Sequence, residues 1–266
     1  MKETKFQHID KLIEPTKPVH NKNKIPKVII QTFETNYLPK RMVKKGCRSW
    51  IDMNPEYTYI FFDDNDRKEF ITKNFSSSVL KAYNRLNHGA LKADLFRYCY
   101  LYINGGIYSD IDQTCTKSLD SLIEPDDDYI TGLYQSCKSD SVRDIPNQSL
   151  IITSKCNPIL KNIIKKGVFR ILNNKPLRGR FAGKGAGFLG PPALFNSWCK
   201  VHRIINKKYN KLRPGKYYIG KFKYNVKPYS LLSSKGIAID KYKGYHEDIH
   251  LMKLKSWNEV EPINFN

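Results

Sequence analysis

Asp94 and Arg97 lie three residues apart, and sixteen residues further on Asp110 and Asp112 lie two apart. On a helix, residues three apart share a face, so Asp94 and Arg97 can act together. On a strand, alternate side chains share a face, so Tyr108, Asp110 and Asp112 would point one way. Two neighbouring carboxylates repel each other, and a divalent cation with hard oxygen ligands is the chemistry that makes such a pair worthwhile. Asp-x-Asp recurs at Asp64/Asp66 and Asp126/Asp128, so context has to choose. The first of these reads as a helix N-cap and first turn, the second as an exposed turn after Pro125.

The elements around Asp110 and Asp112 favour that pair. HGALKADLFRYCYLYINGG (88–106) predicts a buried helix, uninterrupted from Ala90 to Ile103 and stopped by Asn-Gly-Gly. IYSDID (107–112) returns as a strand with its carboxylates at the C-terminal end, where open α/β sheets bind ligands. Upstream, 25–33 predicts a buried strand, 39–55 a helix, 56–62 a second strand and 64–75 a second helix. That order predicts an α/β fold with a mostly parallel central sheet. Further on, 149–172 reads as a strand and a helix, 183–198 as a glycine-rich loop leading into a helix, and 216–245 as short strands. The glycine-rich stretch lacks the spacing of a P-loop or a dinucleotide fingerprint. No Gly-x-Ser-x-Gly elbow occurs, and His246 and His250, four apart, read as surface histidines rather than as a zinc pair.

The chain has 266 residues and a net charge of +21. Residues 1–24 read as a polar N-terminal arm, and 25–266 as one domain. No apolar leader or long apolar run appears, so the expectation is a cytoplasmic or peripheral membrane protein without signal peptide or transmembrane anchor. The six cysteines form no metal or disulfide pattern and read as reduced thiols. The charge is local. From Ile145 to Ile239 there are 20 Lys and Arg and no Asp or Glu, which points to a negatively charged partner.

Taken together, IPKVIIQTF, NPEYTYIFFDD and KADLFRYCYLYINGGIYSDID are similar to the opening half of glycosyltransferase family 32. That family holds the DXD sugar-transferase domain of α-1,6-mannosyltransferases and of α-1,4-galactosyl- and N-acetylglucosaminyltransferases. The match is dense over roughly 25–120, with weaker echoes at Asn147, GPPAL (190–194) and Ser256-Trp257; glucosylating bacterial toxins are a more distant likeness. The resemblance implies a GT-A fold, a UDP- or GDP-sugar donor, manganese or magnesium, and retention of anomeric configuration. It implies that Phe33 stacks on the base, that Asp94 and Arg97 hold sugar hydroxyls, and that Tyr108 and Asn147 line the donor pocket. Asp110 would touch ribose and metal, Asp112 would bind the metal directly, and His250 is a candidate further ligand. Ser256 and Trp257 would close over the diphosphate as a C-terminal lid. Residues 25–120 would form the nucleotide-sugar and metal half, and 145–266 the basic acceptor side.

The expected function is therefore metal-dependent transfer of a hexose or N-acetylhexosamine to a glycan, lipid or protein. An acidic glycan, a lipid or an anionic membrane surface would meet the basic half, with Lys207, Lys208, Lys211 and Arg213, and Lys216, Lys221 and Lys223, as contact clusters. The rival from another class is a basic polyanion- or nucleic-acid-binding protein on a degenerate transferase fold. A pure binder has no use for the Asp94, Arg97, Asp110 and Asp112 set.

Overall fold

Val28–Thr32 is apolar on alternate sides, and both of its faces find partners. In a computed structural model, which describes residues 5–134, 145–177, 186–202, 213–228, 236–239, 241–254 and 263, this segment is a central strand. The strands in chain order are β1 (Phe6–His8), β2 (Leu12–Ile13), β3 (Val28–Thr32), β4 (Tyr37–Pro39), β5 (Thr58–Phe62), β6 (Gly106–Ser109) and β7 (Thr114–Cys115). They continue with β8 (Tyr129–Tyr134), β9 (Ile145–Pro146), β10 (Leu150–Thr153), β11 (Gly215–Ile219), β12 (Phe222–Lys227) and β13 (Ala238–Ile239). The helices are α1 (Lys40–Met42), α2 (Ser49–Met53), α3 (Asp64–Asn74), α4 (Ser77–Arg85), α5 (Gly89–Asn104), α6 (Pro158–Leu172), α7 (Ala186–Leu189), α8 (Pro191–Val201) and α9 (Tyr245–Leu251). Val43–Arg48, between α1 and α2, winds as a π-helix.

The main sheet runs β11-β12-β8-β10-β6-β3-β5-β2, with β9 beside β8. β6, β3 and β5 pair in parallel, as do β8 and β12. β10 lies antiparallel between β6 and β8, so all five of those strands run the same way. The parallel centre agrees with the α/β reading; β2, β9, β10 and β11 are the antiparallel additions.

Period-two alternation divides the core. Ile30, Tyr108 and Ile151 face the layer that contains α5, α6 and α8, while Ile29, Ile107, Leu150 and Ile152 face Met42, Val43, Cys47 and Trp50. Both faces are covered, which is why these strands read as continuous apolar runs. Each fully buried Ile or Tyr here contributes roughly 2 kcal/mol through burial. Cys47, Cys99 and Cys115 are buried free thiols within this core.

α5 is the expected buried helix. His88 caps its start by accepting from the Ala90 N–H, and it stops at Gly105, where φ is +69°. A Cβ there would meet the Lys155 nitrogen and the Thr153 carbonyl, so chain reversal into β6 needs a glycine.

Three features depart from the sequence reading. Residues 6–13 are not an arm apart from the core: β1 pairs with β4, β2 extends the sheet beside β5, and Ile9 is buried. α4 was not foreseen; its serine-rich start hid the spacing of Val79, Ala82 and Tyr83, which pack inward. β6 ends at Ser109, so Asp110–Gln113 is a turn rather than the end of a strand. Among the described residues, no helix is long and apolar enough to cross a membrane.

Candidate active site

The turn after β6 is held through its backbone, from several elements at once. The Asp110 N–H donates to the Ser149 carbonyl (2.8 Å), and the Asp110 carbonyl accepts from the Gln113 N–H (3.1 Å) and Gln31 Nε2 (3.1 Å). Gln31 is itself fixed by the Tyr59 hydroxyl, which donates to its Oε1 (2.8 Å). The Trp50 indole donates to the Gln113 carbonyl (3.2 Å), and Ser49 Oγ accepts from the Cys115 N–H (3.0 Å). Gly46, in the π-helical segment, lies so close to the Ile111 carbonyl that any Cβ there would collide with it. Finally, the Asp112 carbonyl accepts from the Tyr242 N–H (2.9 Å). The position of the turn is thus set largely by backbone contacts from distant segments.

Helix α5 supplies the other half. Arg97 is buried and lies 2.8 Å from Asp94 and 3.1 Å from Asp110. Its guanidinium also donates to the Gln148 carbonyl (2.8 Å) and sits 4.3 Å from the centroid of the Tyr108 ring. The Tyr108 hydroxyl donates to Asp110 (2.6 Å), and Gln148 Nε2 donates to Asp94 (3.3 Å). A buried cation between two carboxylates is worth its desolvation only when such hydrogen bonds complete it. Burial pushes the Asp94 carboxyl up to about 6; Arg97 opposes that shift and Asp110 adds to it. Burial also works against the Arg97 charge, but Asp110, Tyr108 and Asp94 outweigh it and keep the guanidinium protonated.

The structure thus brings Asp94, Arg97, Tyr108 and Asp110 together, with Asp112 in the same turn. Phe33 follows β3 at the same strand ends and is buried against the core. Asn147 is buried, and its side-chain oxygen accepts from the Ser149 N–H and Oγ (both 2.6 Å). It thereby shapes the turn whose Ser149 carbonyl holds Asp110 and whose Gln148 carbonyl holds Arg97. His250 is exposed on α9 and does not group with Asp110 and Asp112. Ser256 and Trp257 lie outside the described residues, as do Lys207, Lys208 and Lys211.

Residues not singled out from sequence complete the site. Gln31, Gly46, Gln113, Gln148 and Ser149 position it, and isolated polar residues of this kind carry no spacing signal. Tyr245, at the start of α9, has its phenol pKa raised by burial and by Asp112, Asp110 and Glu34. α9 is tied down by buried Asp248, which accepts from Arg41 (2.9 Å) and from the Tyr242 hydroxyl (2.8 Å).

The other Asp-x-Asp pairs have structural roles. Asp64 and Asp66 lie in the first turn of α3, as read from sequence, but the N-cap is one residue earlier, at Asp63, which forms a reciprocal capping box with Asp66. Asp126–Asp128 is not a merely exposed turn, because Asp127 and Asp128 are buried. Asp128 accepts from Lys24 Nζ (2.8 Å), the Lys223 N–H (2.9 Å) and Ser154 Oγ (3.0 Å). Glu124, Asp126 and Asp127 group closely enough to hold a metal, but they enclose the Lys223 ammonium at 2.6–3.2 Å. Lys216 also pairs with Glu124 (3.1 Å). The contact cluster expected from Lys216, Lys221 and Lys223 is therefore corrected: two of its three cations are neutralised within the fold by acids that lie outside the basic segment.

The comparisons with known proteins cover the part of this site built from α5 and the turn after β6. Residues 40–128 match the family model described as glycosyltransferase sugar-binding region containing DXD motif. Inositol phosphoceramide mannosyltransferase 3 of Schizosaccharomyces pombe is 39% identical over 101 residues, 37% of this chain and 27% of the relative. Mannosyl phosphorylinositol ceramide synthase CSH1 of Saccharomyces cerevisiae is 38% identical over 100 residues, 38% of this chain and 26% of the relative. The chain thus spans about a quarter of the length of these curated relatives. Among solved structures, the PaToxG glycosyltransferase matches with a TM-score of 0.50 and 18% identity, over 66% of this chain and 69% of that one. The fold is that of the GT-A glycosyltransferases.

Proposed function

We propose that this chain transfers a hexose or N-acetylhexosamine from a UDP- or GDP-sugar to a glycan, lipid or protein acceptor, with retention at the anomeric carbon. The observation that carries the reading is the buried Arg97 joining Asp94 on α5 to Asp110 beyond β6, at the C-terminal ends of parallel strands. The family match over residues 40–128 supports it. The relatives' names favour mannose as the sugar.

Asp94 and Arg97 supply an acceptor and donors side by side, which suits the paired hydroxyls of a sugar. Phe33 and Tyr108 are assigned to the base and the pocket wall, and Asn147 to shaping the loop beneath them. Asp110 and Asp112 would hold manganese or magnesium, since a pair of hard carboxylates in one turn fits such a dication. When bound, the ion neutralises charge on the departing nucleoside diphosphate. Tyr245, whose phenol feels the charge of Asp112 and Asp110, is assigned to the wall of the same site. Ser256 and Trp257 are assigned to closure over the diphosphate, and residues 145–266 to the acceptor side.

The test is a panel of UDP- and GDP-sugars, headed by a nucleoside diphosphate mannose, incubated with manganese, with and without chelator. Chelator-sensitive release of nucleoside diphosphate and free sugar from one donor is expected. Release of inorganic phosphate instead would replace the reading with phosphoryl hydrolysis, and no turnover of any donor would remove it.

A further inference from the structure

Helix α6 presents two opposite faces. Ile159, Leu160, Ile163, Ile164, Val168 and Ile171 are buried, facing the layer formed with α4, α5 and α8. Lys161, Lys165, Lys166 and Phe169 are exposed. At about 100° per residue, Phe169 falls near the middle of the outward arc, with Lys165 on one side and Lys166 on the other. Its ring is 54% exposed. The neighbouring helices α4 and α8 add exposed Lys81 and Lys200, and none of the three helices contains an Asp or Glu. Among the described residues, none of these five lysines pairs with a carboxylate. The contrast with Lys216 and Lys223 is direct: those cations are compensated, and this face is not.

We infer that the outer face of α6 docks on an anionic lipid surface, with Lys161, Lys165 and Lys166 against the headgroups and Phe169 at the acyl boundary. Charge complementarity selects an anionic partner. An exposed apolar ring at the centre, flanked by exposed lysines of the kind that snorkel at a membrane interface, selects a bilayer. The topology suits that role. β10 runs away from the Asp110 end of β6, so α6 returns toward that end and carries Phe169 in its C-terminal half. This narrows the acceptor-side reading from a charge count to one face. It is tested without any sugar donor, so its failure leaves the transferase reading standing.

The experiment is co-sedimentation of the full chain with vesicles of phosphatidylcholine alone or mixed with phosphatidylserine. Binding to the mixed vesicles alone is expected, weakening as salt rises. Lys161→Gln, Lys165→Gln and Lys166→Gln together should weaken it about a hundredfold, at roughly fivefold per cation. Phe169→Ser should weaken it while leaving its salt dependence unchanged, and the emission of Phe169→Trp should shift to the blue on mixed vesicles. Binding that ignores phosphatidylserine, or a triple variant that binds like the parent, would overturn the inference. So would a Phe169→Trp signal that responds to a polynucleotide and not to the vesicles.

Discussion

Arg97 lies 3.1 Å from Asp110 although the two belong to different elements, and the same guanidinium lies 2.8 Å from Asp94 on its own helix. One buried cation thus aligns α5 with the turn after β6. The pairing explains why an arginine stands in the buried middle of a mostly apolar helix: it is completed by Gln148 and by the face of Tyr108. A lysine cannot reproduce the planar fork that reaches both carboxylates.

Removing that cation should be costly. Arg97→Met leaves Asp94 buried without its counter-charge, and a loss of about 3–5 kcal/mol is expected in urea unfolding. Arg97→Lys should lose about 2 kcal/mol and cut donor hydrolysis more than tenfold. If Arg97→Lys matched the parent in both measurements, the two-carboxylate clamp would have no role.

Asp112 and Asp128 should separate chemistry from stability. Asp112→Asn keeps shape and removes charge, so unfolding should change little while donor hydrolysis falls nearly to background. Asp128→Asn weakens contacts to Lys24 and Ser154, and a loss of about 2 kcal/mol is expected with turnover per folded molecule retained. A residue in an exposed turn would be indifferent to such a change; the burial of Asp128 makes it structural. Equal hydrolysis by both variants would remove Asp112 from the site.

Gly46→Ala sets helix propensity against sterics. Alanine favours a helix interior by about 1 kcal/mol, but its Cβ would strike the Ile111 carbonyl oxygen. Overpacking of this kind costs about 1–3 kcal/mol, so the collision should win. Lower stability together with weaker manganese-dependent hydrolysis is expected. A more stable and fully active variant would show that the turn is not seated on this glycine.

The lysine enclosed by acids should be visible in the acid limb of the stability curve. Hydrogen bonds from Lys223 and Lys216 hold the Glu124 carboxyl at about 2, below its ordinary 4.5. A depressed carboxyl stabilises the fold above its unfolded value, and that contribution is lost as pH falls toward the folded one. The stability gap between the parent and Glu124→Gln should therefore be open at neutral pH and close between about 4.5 and about 2. A gap that does not change with pH would mean the ion pairs contribute nothing.

Much of this protein was legible in its sequence because the signals are local. The α5 helix, its glycine stop, β3, β5 and the acidic first turn of α3 follow from periodicity and end chemistry within a few residues. The pairing of Asp94 with Arg97 follows from helical spacing. What tertiary structure decided was everything carried by partners distant in the chain. Only folding places Gln31, Trp50, Ser149 and Tyr242 around one turn, because hydrogen bonds between distant segments leave no spacing in the sequence. In the same way the basic segment reads as uniform, yet Lys223 is neutralised by Glu124, Asp126 and Asp127 while Lys165 and Lys166 face outward. Composition counts charges; the fold determines which of them find a counter-charge, because that depends on which distant segments the sheet brings within a few ångströms.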